Sequence, residues 1–161
     1  MDISQFWEDA RTAAKLNPLH ELWGPRVSGT VAPESFAFGD TPEMADELAA
    51  LVVEGTKTAT AGALADYEAS DEPLPSRGDL FIVLDGQGAP RALIRTTEVR
   101  VVPFDEVDGD HAAAEGEGDG SLEYWRAGHQ AFFERTIGFD PQMPVVLERF
   151  ELLYPSRWKP L

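Results

Sequence analysis

A chain of 161 residues, 43% hydrophobic and 26% charged, suits one domain that buries its own core. The absence of cysteine excludes disulfides, thiolate metal sites and cysteine nucleophiles. A formal net charge of −16, from 29 acidic and 13 basic residues, opposes any broad electrostatic grip on nucleic acid, so an RNA partner must meet a local basic pocket or be short.

No apolar run approaches the roughly 18 residues of a membrane span. The start "MDISQFWEDAR" has neither the basic region nor the apolar core of a signal peptide, so a cytoplasmic protein without a membrane partner is expected. In chain order, residues 4–15 read as a helix, with Ile3, Phe6, Trp7, Ala10 and Ala14 at helical spacing. Asn17-Pro18 stops it, "PLHELWGP" suggests a helical turn, and residues 1–35 form an arm whose Phe6, Trp7 and Trp23 can pack on the body. "FAFGD" offers a short strand. Thr41 caps a helix with Pro42 at its first position, and Gly55 supplies the left-handed residue that closes it. Met44, Leu48, Leu51 and Val52 mark its inward face.

Residues 56–60, "TKTAT", leave that helix extended. In a regular strand Thr58 and Thr60 share one face and Lys57 the other, so bringing Lys57 and Thr60 together requires a turn or bulge. "DLFIVLD" and "RALIRTTEVRVV" flank "DGQG" as a hairpin. "LEYWRAGHQAFFERT" is a helix that Ser121 can cap, with Glu123 in its first turn. "MPVVLERFELLY" closes the chain as a long strand. The irregular mixture is α+β and argues for a small β-barrel or curled sheet flanked by helices.

Phosphate-binding glycine loops, dinucleotide fingerprints, metal helices and nucleophile elbows are absent from the sequence. His20, His111 and His129 are scattered, and His129 reads as a surface or packing residue. Two features remain. Lys57 is the only lysine in the body of the chain and sits among threonines. Between Val101 and Trp125 there is no Lys or Arg but eight carboxylates, which read either as a solvated acidic loop or as the source of a partner for Lys57. Within that stretch, "AEGEGDGS" alternates glycines with acids, so its backbone can approach another group closely. Magnesium takes only one or two carboxylates and would suit such a segment, but no spacing demands it, and no cofactor is expected.

The series "FGD" (38–40), "ADELAALVVEGTKTAT" (45–60), "PLPSRGDL" (73–80), "TTEVRVVPFDEV" (96–107) and "AAEGEGDGSLEYWRAGHQAFF" (113–133) resembles the ASCH domain family of the PUA-like superfamily, in its longer bacterial type. The resemblance implies a PUA-like β-barrel with helices at its rim over residues 36–161, preceded by the helical arm 1–35, the two forming one structural unit. It also implies involvement with RNA or nucleosides. Small family members hydrolyse N4-acetylcytidine with a Lys, a Thr three residues later and a distant Glu. Those residues correspond to Lys57, Thr60 and Glu117. The longer type is associated with cleavage of single-stranded RNA, in which the same lysine is implicated.

Three readings follow. The first is binding and cleavage of single-stranded RNA, with charged Lys57 stabilising the phosphorus centre and Glu117 as base. The second is amide hydrolysis of a modified nucleoside, with Thr60 as nucleophile and neutral Lys57 as its base. The third is a non-catalytic RNA reader, whose positive groove would have to come from Arg77, Arg91, Arg95 and Arg100. Thr58, Arg77, Arg95 and Ser121 are the expected substrate contacts.

Overall fold

The computed structural model describes residues 1–14, 16 and 31–156. The fold is α+β. Five strands are hydrogen-bonded in the order β1-β3-β4-β5-β2, and no described helix is long and apolar enough to cross a membrane. The chain divides into two compact units, one from Met1–Gly55, Leu80–Arg95 and Leu152–Leu161, the other from Thr56–Asp79 and Thr96–Glu151.

In the first unit, α1 (Ile3–Ala13) begins where the Asp2 carboxylate accepts from the Gln5 amide at 2.8 Å. Its apolar stripe, Phe6, Trp7 and Ala10, is buried with Ile82 and Leu93. The aromatic face expected of the arm therefore has its partner. Trp23, His20 and the turn at Asn17-Pro18 lie outside the described residues. Strand β1 (Glu34–Ala37) pairs in parallel with β3 (Leu80–Leu84), Glu34 opposite Phe81. β3 pairs antiparallel with the start of β4 (Pro90–Pro103), Leu80 opposite Arg95. The expected hairpin turn is closed by Asp85, whose carboxylate accepts from the Gln87 and Ala89 amides.

Helix α2 (Pro42–Glu54) has the ends its sequence dictates: the Thr41 hydroxyl accepts from the Met44 amide, and Gly55 adopts φ 81°. Its buried residues are Ala45, Ala49 and Val52, while Met44, Leu48 and Leu51 are half-buried. The stripe is rotated from the one expected because small side chains occupy the closest approach.

In the second unit, β2 (Ala59–Ala63) lies antiparallel to β5 (Pro144–Tyr154), with Thr60 opposite Glu148. A short helix α3 (Leu64–Ala69) follows β2. The acidic stretch is not a solvated loop. It folds as a 3-10 turn at Phe104–Glu106, helix α4 (Gly109–Glu115) and a glycine-rich link to α5 (Leu122–Thr136). Phe104, Trp125 and Phe133 build the core of this unit with Ala63, Val145 and Leu147. Ser121 caps α5 by accepting from the Tyr124 amide, as expected.

Candidate functional site

The site forms where the chain leaving α2 meets the end of α4. After Gly55 the chain runs extended, and Thr58 clamps it: its amide and its hydroxyl both donate to the Ala114 carbonyl, at 2.7 and 3.1 Å. The Thr58 carbonyl accepts from the Phe150 amide at 3.0 Å, so the ladder with β5 continues without a bulge. Gly116 ends α4 with φ 65°, and a β-carbon built on it would lie 2.4 Å from the Thr56 carbonyl oxygen. Only glycine allows two backbones this close. The close approach expected of "AEGEG" is this one.

The clamp seats Lys57. Its Nζ donates to the Ala59 carbonyl at 2.8 Å, to Glu117 Oε1 at 3.0 Å and to Glu115 Oε1 at 3.3 Å. An ammonium has three donors and no acceptor, so these contacts match its charged form. Lys57 and Glu115 are each 1% exposed, whereas Glu117 is 24% exposed. The group opens to solvent through Glu117.

Glu115 is the hub. Its Oε2 accepts from His111 Nε2 at 2.7 Å, one helical turn back, and from the Trp125 indole. The His129 ring stacks on Trp125, with centroids 4.2 Å apart, donates from Nδ1 to the Trp125 carbonyl at 2.9 Å, and holds Nε2 3.5 Å from Glu115 Oε1. Burial opposes the charge on Glu115, but Lys57 and the bonds from His111 and His129 outweigh it and hold its carboxyl well below the usual carboxylate range. Burial likewise opposes a charged His129, but its bond to Glu115 and the charges of Glu115 and Glu117 raise it above the usual 6.5. Two basic side chains, Lys57 and His129, thus face two acidic ones, Glu115 and Glu117, which offset one another locally inside an acidic protein.

Glu115, Glu117 and His129 offer ligand atoms within 4.8 Å of one another. The Lys57 ammonium lies 3.3 and 3.0 Å from two of these three, Glu115 and Glu117.

Lys57 and Glu117 come together. Thr60 stands half-buried in β2, opposite Glu148. Thr58 and Ser121 are used structurally, as clamp and cap. Arg77 lies exposed in the loop before β3, and Arg95 is half-buried on β4. Arg91 lies 3.6 Å from Asp85, and Arg100 lies 3.7 Å from Glu98. His129, expected on the surface or in packing, belongs to the site at 13% exposed, with Glu115, His111 and Trp125. The overlooked signal is two i, i+4 pairs, His111/Glu115 and Trp125/His129, on adjacent helices.

Comparison with known proteins agrees with this architecture. The ASCH domain family matches residues 34–154, and the chain belongs to that family. Among solved structures, an ASCH domain from Lactobacillus crispatus JV V101 is similar at 29% identity and TM-score 0.72, with 89% of this chain and 95% of that one covered. A protein from Enterococcus faecalis V583 is similar at 35% identity and TM-score 0.71, with 90% and 88% covered. No curated protein matches the chain.

Proposed function

We propose that this ASCH domain binds and cleaves single-stranded RNA at the group opening through Glu117. The observation that carries the reading is the pairing of Glu117 with His129, a carboxylate and an imidazole disposed to be cationic, whose ligand atoms lie within 4.8 Å. Breaking an RNA strand needs a base for the 2′-hydroxyl and an acid for the leaving 5′-oxygen, and these two groups supply both. Glu117 takes the 2′-hydroxyl proton, the 2′-oxygen bonds to phosphorus, the bond to the 5′-oxygen breaks, and that oxygen takes the Nε2 proton of His129, which gives up its 3.5 Å contact with Glu115 to donate it. The products are a 2′,3′-cyclic phosphate and a 5′-hydroxyl. Lys57 acts through Glu117, whose orientation and charge it fixes, because it is enclosed and its donors are engaged. The local offset of charge at the site lets a short anionic strand approach despite the acidity of the whole.

Amide hydrolysis of N4-acetylcytidine is the second reading, favoured by the net charge of −16, which a neutral nucleoside does not feel. It needs Lys57 as a neutral base beside Thr60, and the three acceptors around Nζ speak against that arrangement. One assay separates these readings from a non-catalytic reader. Purified protein is incubated with a single-stranded oligoribonucleotide and, separately, with N4-acetylcytidine. Cyclic phosphate ends by mass spectrometry support the first reading, acetate release replaces it with the second, and binding without either product leaves the third.

A further inference from the structure

On β2 and β5 the protein leaves a second group of polar atoms without internal partners. Thr60 and Glu148 are directly opposite in the antiparallel ladder, so their side chains share a face. Gly62 lies on that face two residues along, and the Tyr67 ring of α3 covers it, with Cε2 3.5 Å and the hydroxyl 3.8 Å from where a β-carbon would stand. Glu148 is only 7% exposed. Its Oε1 accepts from the Thr96 hydroxyl at 2.6 Å. Among the described residues, Glu148 Oε2, the Thr60 hydroxyl and the Tyr67 hydroxyl make no hydrogen bond, and none is sealed from solvent as an orphan.

An enclosed carboxylate with one oxygen fixed and the other uncommitted is costly unless something donates to it. Two hydroxyls on the same face, those of Thr60 and Tyr67, can donate in turn. This is a pairing surface of one acceptor and two donors, complementary to a planar group that carries an N–H next to a carbonyl or ring nitrogen. The Watson–Crick edge of a nucleobase has that pattern, and it is available only when the base is unpaired. We propose that Glu148, Thr60 and Tyr67 bind the Watson–Crick edge of an unpaired nucleobase. Glu148 Oε2 accepts the base N–H, and the hydroxyls donate to the neighbouring acceptor. Burial and the nearby carboxylates, Glu148 first among them, push the Tyr67 phenol up to about 12, so it keeps the proton it donates. The inference rests on the RNA reading and adds to it a physical basis for preferring single strands.

The test uses labelled hexanucleotides with 2′-O-methyl riboses, which no 2′-hydroxyl chemistry can cut, and measures binding by fluorescence anisotropy. The base-bearing single strand should bind at least about tenfold more tightly than an abasic hexamer or the same strand in a duplex. Tyr67→Phe and Glu148→Gln, each verified by circular dichroism and melting, should remove most of that preference and leave abasic binding unchanged. A wild-type protein without the preference, or variants that keep it, would overturn this site and leave RNA binding standing. Failure of the wild type to bind any of the three oligomers would overturn both.

Discussion

Lys57 Nζ stands 3.0 Å from Glu117 Oε1 and 3.3 Å from Glu115 Oε1. One enclosed ammonium therefore joins a carboxylate that never meets water to one that does. The sharpest consequence concerns stability. Lys57→Ala leaves Glu115 with its main counter-charge gone, and breaking such a buried pair from one side costs about 3–5 kcal/mol. Lys57→Met should cost nearly as much, and adding Glu115→Gln to Lys57→Met should restore part of the loss. Urea denaturation checks this, and a Lys57→Ala protein as stable as wild type would show that the pair is not formed.

Catalysis should fail differently at Glu117. The Glu117→Gln protein keeps a side chain of the same shape at a partly open position, so melting should change little. RNA cleavage should drop at least about 100-fold, the scale of a lost general base. Equal loss of folding and activity would instead make Glu117 a structural residue.

The rate should also report His129. As the proposed acid, it must carry a proton. Its retention of that proton is raised above 6.5, so cleavage should fall as pH rises through that raised value. His129→Gln should slow cleavage and abolish that alkaline limb. A limb that survives the substitution assigns the acid elsewhere.

Stability should vary with pH in two opposed directions. Glu115 is depressed, so its contribution is present above the unfolded value of 4.5 and is lost as pH falls through the folded value. His129 is raised, so its contribution is present below the unfolded value of 6.5 and is lost as pH rises through the folded one. Both contributions are whole only between those two unfolded values. Denaturation midpoints should peak in that window, and Glu115→Gln should flatten the acid side.

Gly116→Ala tests the backbone clamp. The left-handed φ alone costs an alanine about 1–2 kcal/mol, and the β-carbon would also strike the Thr56 carbonyl. The expected result is lower stability together with impaired cleavage, because Lys57 and Glu117 are held on the two segments that would be pushed apart. Wild-type behaviour would show that the two segments yield at this contact without displacing Lys57 or Glu117.

Much of this architecture was legible locally. Thr41, Pro42 and Gly55 carry the bounds of α2 in their own chemistry, since a cap, a preset φ and a left-handed residue each act within one turn. The pairing of Lys57 with the acidic stretch was legible as a possibility, because a lone central lysine and a run of carboxylates without cations invite it. Glu115 was not. A glutamate among seven other acids looks solvated, and only tertiary packing against His111 and Trp125 encloses it. Thr60 posed a strand-parity problem in the sequence, and the regular ladder pairs it with Glu148. Helix α3 escaped because six residues carry too little periodicity to read.

The contact of α1 with β3 and β4 bears on how this protein should be handled at the bench. The family match begins at residue 34, yet Ile82 and Leu93, fully buried, rest on Phe6, Trp7 and Ala10. A truncation drawn at the match would uncover that sheet face and forfeit two large aromatics, each contributing about 1.5–3 kcal/mol when fully buried. Exposed apolar sheet surface favours self-association. The recognisable segment and the foldable segment are therefore different lengths, and a precipitating fragment would be reporting a missing helix rather than a defective domain.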